Sequence, residues 1–114
     1  MKKEETMNVH KTLEIKRIVI RICEEMGLPA EKIIMFGSRA RGDFTANSDW
    51  DFLIVLRKTP SREEKRELAH RIRRELAEHH IPCDVVVKSL TEVEERERVI
   101  GSVIRNAIKE GVIL

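Results

Sequence analysis

Two aspartates, Asp49 and Asp51, stand two positions apart at the head of the run Trp50-Asp51-Phe52-Leu53-Ile54-Val55-Leu56. Side chains alternate between the faces of an extended strand, so both carboxylates point the same way as Leu53 and Val55, while Trp50, Phe52 and Ile54 point the other way. The plain reading is a strand that begins at its solvated end. A third carboxylate alters the balance. Asp84 lies in Cys83-Asp84-Val85-Val86-Val87, which reads as a buried strand, where an ionised group is costly unless paired or metal-bound. If the two strands are neighbours, Asp49, Asp51 and Asp84 meet at one end of a sheet. Like charges ~4 Å apart repel by about 4 kcal/mol at an effective dielectric of 20. The trio therefore needs a positive partner: an Arg or Lys, or a hard divalent cation such as Mg²⁺ or Mn²⁺, which favours oxygen ligands.

The run Phe36-Gly37-Ser38-Arg39-Ala40-Arg41-Gly42 offers a complementary half-site. Gly37 allows close backbone approach to a ligand, Ser38 supplies a hydroxyl, and the amides entering a short helix at Ser38, Arg39 and Ala40 suit an anion. Arg39 and Arg41 add charge for phosphate. A Gly-Ser pair alone marks an ordinary turn. Its weight here comes from ending one strand just before two aspartates open the next.

The elements that must position these residues are legible as hydrophobic patterns. After a polar leader, residues 1–11, the residues Ile15, Ile18, Val19, Ile22 and Met26 recur at helical spacing, and Gly27 with Pro29 ends that helix. Residues 32–36 read as a buried strand and residues 50–56 as a second. Ser61 and Glu64 form a capping-box pattern ahead of the stripe Leu68, Ala69, Ile72 and Leu76. Pro82 leads into a third strand at residues 83–87. Thr91 and Glu94 repeat the capping-box pattern before one last helix lined by Val99, Ile100, Val103, Ile104, Ala107 and Ile108, with residues 112–114 as a terminal strand. Alternating helices and strands predict an α/β (α+β) sheet covered by helices, in a single domain spanning residues 1–114.

Composition narrows the function classes without choosing one. The 114 residues are 41% hydrophobic and 37% charged, enough for one core that buries roughly 65% of the unfolded chain's surface. The two cysteines, Cys23 and Cys83, write neither a disulfide framework nor a zinc knuckle, and a reducing cytoplasm is the expected compartment. No apolar run approaches the roughly 20 residues that cross a bilayer, and the charged N-terminus lacks the apolar stretch of a signal peptide. Lys and Arg total 22 against 20 Asp and Glu, a balance that does not favour a nucleic-acid partner.

The run from Phe36 to Gly42 followed by Ser48-Asp49-Trp50-Asp51-Phe52-Leu53-Ile54-Val55 resembles the signature of the DNA polymerase β-like nucleotidyltransferases, and in particular their minimal single-domain MNT group. The spacing from Ser38 to Asp49 fits, as does Asp84 on a later strand, and the likeness extends through Gly101-Ser102-Val103-Ile104-Arg105 to Glu110-Gly111-Val112. The resemblance implies that family's fold, a small mixed β-sheet flanked by helices. It implies that Asp49, Asp51 and Asp84 are catalytic and hold two Mg²⁺ ions, with Asp84 ligating the ion nearest the acceptor hydroxyl, and that Gly37 and Ser38 grip the β- and γ-phosphates of ATP. Two divalent ions can activate the attacking oxygen and stabilise departing pyrophosphate in an in-line displacement.

Larger relatives add a domain for base and acceptor, and no stretch of this chain is left to form one. The resemblance therefore implies an acceptor on another molecule, in the first place a tyrosine of a HEPN-type toxin that the chain would modify with AMP as its antitoxin. The sequence contains no tyrosine of its own. A catalytically silent antitoxin subunit, and nucleotidyl transfer to a small molecule or an RNA end, stay open as alternatives.

Other features read as structural. The arginines of residues 62–74 interleave with glutamates, as on a solvated, salt-bridged helix face. His79 and His80 suit a helix end. Cys23 reads as core packing, and Cys83 and Trp50 face away from the aspartates. The last helix is apolar over a wide stripe, enough for the sheet and a partner subunit to share, so association into a homo-oligomer is also compatible with the sequence.

Overall fold

In the computed structural model, which describes residues 3–99 and 101–114, the helical stripe of Ile15, Ile18, Val19 and Ile22 is buried on α1 (Lys3–Glu25). This helix begins well inside the expected polar leader. Residues 3–11 contain no glycine or proline, so nothing in that stretch stops a helix from running back past its first apolar contact. The remaining elements are β1 (Ala30–Phe36), α2 (Ser38–Arg41), β2 (Trp50–Leu56), α3 (Arg62–Glu78), β3 (Cys83–Ser89), α4 (Leu90–Arg96), α5 (Val103–Glu110) and β4 (Val112–Ile113).

The four strands form one sheet in the order β3-β2-β1-β4. The β1 strand pairs antiparallel with both β2 and β4, whereas β2 and β3 run parallel. A parallel pair cannot be joined by a tight turn, and α3 supplies the crossover. Its start is fixed by the expected capping box: the Ser61 hydroxyl accepts from the Glu64 amide at 3.1 Å, and the Glu64 carboxylate accepts from the Ser61 amide at 2.8 Å.

Alternation along β2 builds a core on each face of the sheet. Trp50, Phe52, Ile54 and Leu56 join α1 and α3 residues in the larger cluster, while Leu53 and Val55 join Ile34, Ile104 and Ala107 in the smaller one. Burying side chains such as Phe52 and Ile54 contributes roughly 1.5–3 kcal/mol each. The sheet is thus held rigidly on both sides, and the end where β1 finishes and β2 and β3 begin is free to carry chemistry.

The expected single last helix is two helices. The capping box falls on Ser89 and Glu92, not on Thr91 and Glu94: the Ser89 hydroxyl accepts from the Glu92 amide and the Glu92 carboxylate accepts from the Ser89 amide, both at 3.2 Å. After α4 the chain turns at Gly101, whose φ of 82° suits glycine, and Ser102 caps α5 by accepting from the Arg105 amide at 3.0 Å. Val99 and Val103, expected to line one continuous stripe, are exposed, whereas Ile104 and Ala107 are buried; Ile100 lies outside the described residues. The charges of α3 pair mainly with other helices and not along α3 itself: Arg71 with Glu25 at 2.6 Å, Lys65 with Glu92 at 2.7 Å and Glu75 with Arg21, beside Arg74 with Glu78 at 4.0 Å within the helix. Among the described residues no helix is long and apolar enough to cross a membrane.

Candidate active site

The parallel register between β2 and β3 places Asp51 directly opposite Asp84, and the antiparallel register between β1 and β2 places Phe36 opposite Asp51. Gly37, the next residue after β1, therefore arrives beside Asp51. The approach is close: a Cβ built on Gly37 would collide with Oδ2 of Asp51. The backbone at Gly37 also takes φ 75°, a region that L side chains rarely adopt. Both conditions select glycine here. Asp49 immediately precedes β2, whose first amide, that of Trp50, donates to the Pro82 carbonyl at 2.9 Å.

Asp51 is half-buried, whereas Asp49 and Asp84 are exposed. The expectation that Asp84 is held in a buried strand is therefore corrected. It stands one residue into the outermost strand, where water reaches it, and its Oδ1 accepts from the Val85 amide at 3.2 Å. The electrostatic cost falls on Asp51 instead. Burial first, and then the charges of Asp84 and Asp49, raise its carboxyl above the usual aspartate range, with Arg41 pulling the other way.

Among the described residues, no group of three His, Cys, Asp or Glu side chains is drawn tightly enough together to hold a metal ion unaided. The chemistry of the donor set nonetheless fits a hard cation. Three carboxylates repel one another around Asp51 with a single arginine opposing them. Mg²⁺ is characteristically held by one or two carboxylates plus substrate phosphates and waters, not by a closed protein cage.

The glycine-serine turn is narrower as an anion site than its sequence predicts. The Ala40 and Arg41 amides both donate to the Gly37 carbonyl, at 3.1 and 3.0 Å, so the Ala40 amide is committed to the turn itself. Arg41 lies near the acids but is exposed, with Asp43 at 3.4 Å and Glu110 at 3.3 Å. Arg39 is turned elsewhere. Its guanidinium sits 4.4 Å from the ring centre of Phe44 and 4.7 Å from that of Trp50, and its Nη2 donates to the Ser48 carbonyl at 3.0 Å.

Trp50 is buried against Phe52 with ring centres 6.2 Å apart, facing away from the aspartates as expected. Burial pushes the Cys83 thiol up to about 11 on that same face. Phe44 is a site neighbour that only a lone aromatic inside the polar stretch of residues 42–49 signals in the sequence; Glu110 belongs to the C-terminal stretch of the resemblance, but only the fold brings it to Arg41.

A turn ending one strand, paired acids opening the next and a third acid in register on a parallel neighbour thus stand together at one end of the sheet. Residues 16–114 match the family model described as nucleotidyltransferase domain, and the chain belongs to that family. A Methanocaldococcus jannaschii protein described as a candidate protein adenylyltransferase is 42% identical over 38 residues, which cover 33% of this chain and only 38% of that relative.

Several solved structures share the fold. A candidate nucleotidyltransferase from Sulfolobus solfataricus superimposes with a TM-score of 0.54 at 23% identity, covering 92% of this chain and 83% of that one. A toxin-antitoxin complex with AMP-PNP gives a TM-score of 0.55 at 21% identity, covering 85% of this chain and 69% of that one.

Proposed function

We propose that this chain is a divalent-cation-dependent nucleotidyltransferase that moves AMP from ATP onto a hydroxyl of a partner protein. The proposed acceptor is a tyrosine of a HEPN-type toxin, which the modification silences. The observation that carries this reading is the register pair of Asp51 and Asp84 beside the Gly37 turn. It gathers negative charge directly beside the Gly37-Ser38 turn, where the missing side chain of Gly37 makes room for the Asp51 carboxylate.

In this reading Asp49, Asp51 and Asp84 hold the cations, two Mg²⁺ or Mn²⁺ ions. When bound, such ions neutralise phosphate charge and acidify a nearby hydroxyl. Gly37 and Ser38 bind the β- and γ-phosphates, and Arg41 adds positive charge at the rim. Asp84, exposed on the outer strand, faces the acceptor. The acceptor oxygen bonds to the α-phosphorus as the bond from that phosphorus to the oxygen bridging the β-phosphate breaks. Pyrophosphate leaves, and the hydroxyl proton passes to Asp84 and then to water. The sequence holds no tyrosine, so a tyrosine acceptor lies outside it. The choice of acceptor is supported by fold likeness to a toxin-antitoxin complex holding AMP-PNP and by the match to a protein described as a candidate protein adenylyltransferase.

The test uses α-labelled ATP, Mg²⁺ and a co-expressed HEPN-type partner. Label on the partner that is lost with Asp51→Asn and with Asp84→Asn supports the reading. Label that persists in Asp51→Asn, or no label from wild type with any of the four common ribonucleoside triphosphates, would favour an inert binding subunit.

A further inference from the structure

The side chain of Arg39 has the most unusual surroundings outside the acids themselves. It projects from α2, directly after the Gly37-Ser38 turn, and its guanidinium lies against the rings of Phe44 and Trp50. Its Nη2 donates to the Ser48 carbonyl at 3.0 Å, and its Nε is buried without a hydrogen-bond partner. Leaving a guanidinium N–H unpaired is unfavourable, so the two flanking rings must compensate for the lost hydration.

All three partners surround Asp49 in sequence. Phe44 lies in the connecting loop, Ser48 immediately precedes Asp49 and Trp50 immediately follows it. The loop has its own turn, in which the Ser48 amide donates to the Thr45 carbonyl at 3.1 Å and the Thr45 amide donates to the Ser48 hydroxyl at 2.9 Å. Asp51 is fixed by ladder pairing on both sides, but the pairing of β2 begins only at Trp50. The place of Asp49 is therefore set by the loop, which α2 holds at its start through the exposed pair of Arg41 with Asp43 at 3.4 Å and, next to Asp49 itself, through Arg39.

We propose that Arg39 is a positioning residue that clamps the loop delivering Asp49 to the Gly37-Ser38 turn, fixing the separation between the phosphate grip and the acids. This role replaces direct phosphate binding by Arg39. A guanidinium that reached a phosphate would have to leave both rings and the Ser48 carbonyl. Lysine cannot substitute, because it lacks the planar face that stacks between two rings and the forked donors that reach a carbonyl at the same time.

The inference rests on reading Asp49 and Asp51 as the cation-holding pair, and its test separates the two ideas. Arg39→Lys and Arg39→Met are compared with the wild-type chain. Amide hydrogen exchange without ligand reads the clamp directly: residues 43–49 should exchange about tenfold faster in both variants, with α3 and β3 unchanged. Calorimetric titration of Mn²⁺ in the presence of ATP should show affinity lowered by about tenfold, with ATP affinity in a metal chelator changed by less than about twofold.

Equal loss of the metal-free ATP affinity would assign Arg39 to the phosphates and overturn the proposal. So would unchanged exchange in residues 43–49. Failure of the wild-type chain to bind Mn²⁺ with ATP would remove the proposed function, while the exchange measurement would still decide for or against the clamp.

Discussion

Gly37 and Asp51 compete for the same space: the position a Cβ would occupy on Gly37 is already taken by the Asp51 carboxylate. A glycine at φ 75° is common in turns, but here the residue also sets how deeply Asp51 can sit. Gly37→Ala should therefore act twice. The backbone strain is expected to cost about 1–3 kcal/mol, read as a lower melting temperature. Displacement of Asp51 should lower nucleotidyl transfer by about a hundredfold, since misplacing a reacting group by an ångström has effects of that order. A variant that melts earlier yet transfers at the wild-type rate would detach the turn from the site.

Ser89 and Glu92 allow the second prediction. The Ser89 hydroxyl is buried and caps α4, so Ser89→Ala is expected to cost about 1 kcal/mol in a denaturation experiment. Glu92→Gln keeps the capping geometry and removes the charge facing Lys65 at 2.7 Å and Lys88 at 3.6 Å. Burial pushes the Glu92 carboxyl up, but hydrogen bonds from Lys65 and the Ser89 amide, with the charges of both lysines, bring it below its ordinary value. A depressed carboxyl contributes stability above its unfolded pKa and loses it as pH falls through the folded value. The Gln variant should thus be less stable at pH 7 by about 0.5 kcal/mol for this partly exposed pair, and indistinguishable from wild type at about pH 3.

The same pair of residues shows where the sequence was ambiguous. Ser89 and Thr91 both precede a glutamate by three positions, and only the length of β3, which runs on to Ser89, decides which one caps. By contrast, the strand carrying Asp51 was legible because Trp50, Phe52 and Ile54 alternate strictly with it and demand a buried face. Its parallel pairing with β3 follows from the helix between them. The exposure of Asp84 is not legible in the sequence because Val85-Val86-Val87 looks like an interior run. Yet β3 is the outer strand of the sheet, and an apolar sequence does not reveal which edge stays open. Arg39 shows the same limit: phosphate-binding chemistry is written in residue type, but the rings against which its guanidinium rests are brought to it by the fold.

Cys23 and Cys83 should be poor nucleophiles. Burial raises both thiols to about 11; at Cys83 Arg73 pulls the other way, and the lesser effects of Asp84, Asp49 and Asp51 add to burial. At pH 8 the thiolate fraction is then about 10²-fold below that of a free cysteine, and alkylation of the folded chain should be slower than that of the unfolded chain by about this factor. Mass spectrometry after timed iodoacetamide treatment measures it. Rapid labelling of Cys83 in the folded protein would mean that the start of β3 opens more readily than its packing indicates.

Asp51 carries the sharpest prediction, because its stability effect and its functional effect have opposite signs. Its carboxyl is raised by burial and then by Asp84 and Asp49, so ionising it opposes folding. A raised carboxyl favours the folded state below its unfolded pKa, and that contribution is lost as pH rises through the folded value. Asp51→Asn should accordingly melt a few degrees higher than wild type at pH 7 in the absence of ligand, with the difference vanishing toward about pH 3. Adding Mg²⁺ and ATP should reverse the ranking. A ligand at a hundredfold excess over its Kd stabilises the wild-type chain by about 2.7 kcal/mol, and the variant should gain almost none of this. If both proteins gain equally, the acids are not where the cation and triphosphate meet. If the variant melts lower without ligand, Asp51 is a structural strand residue whose neighbours already compensate its charge.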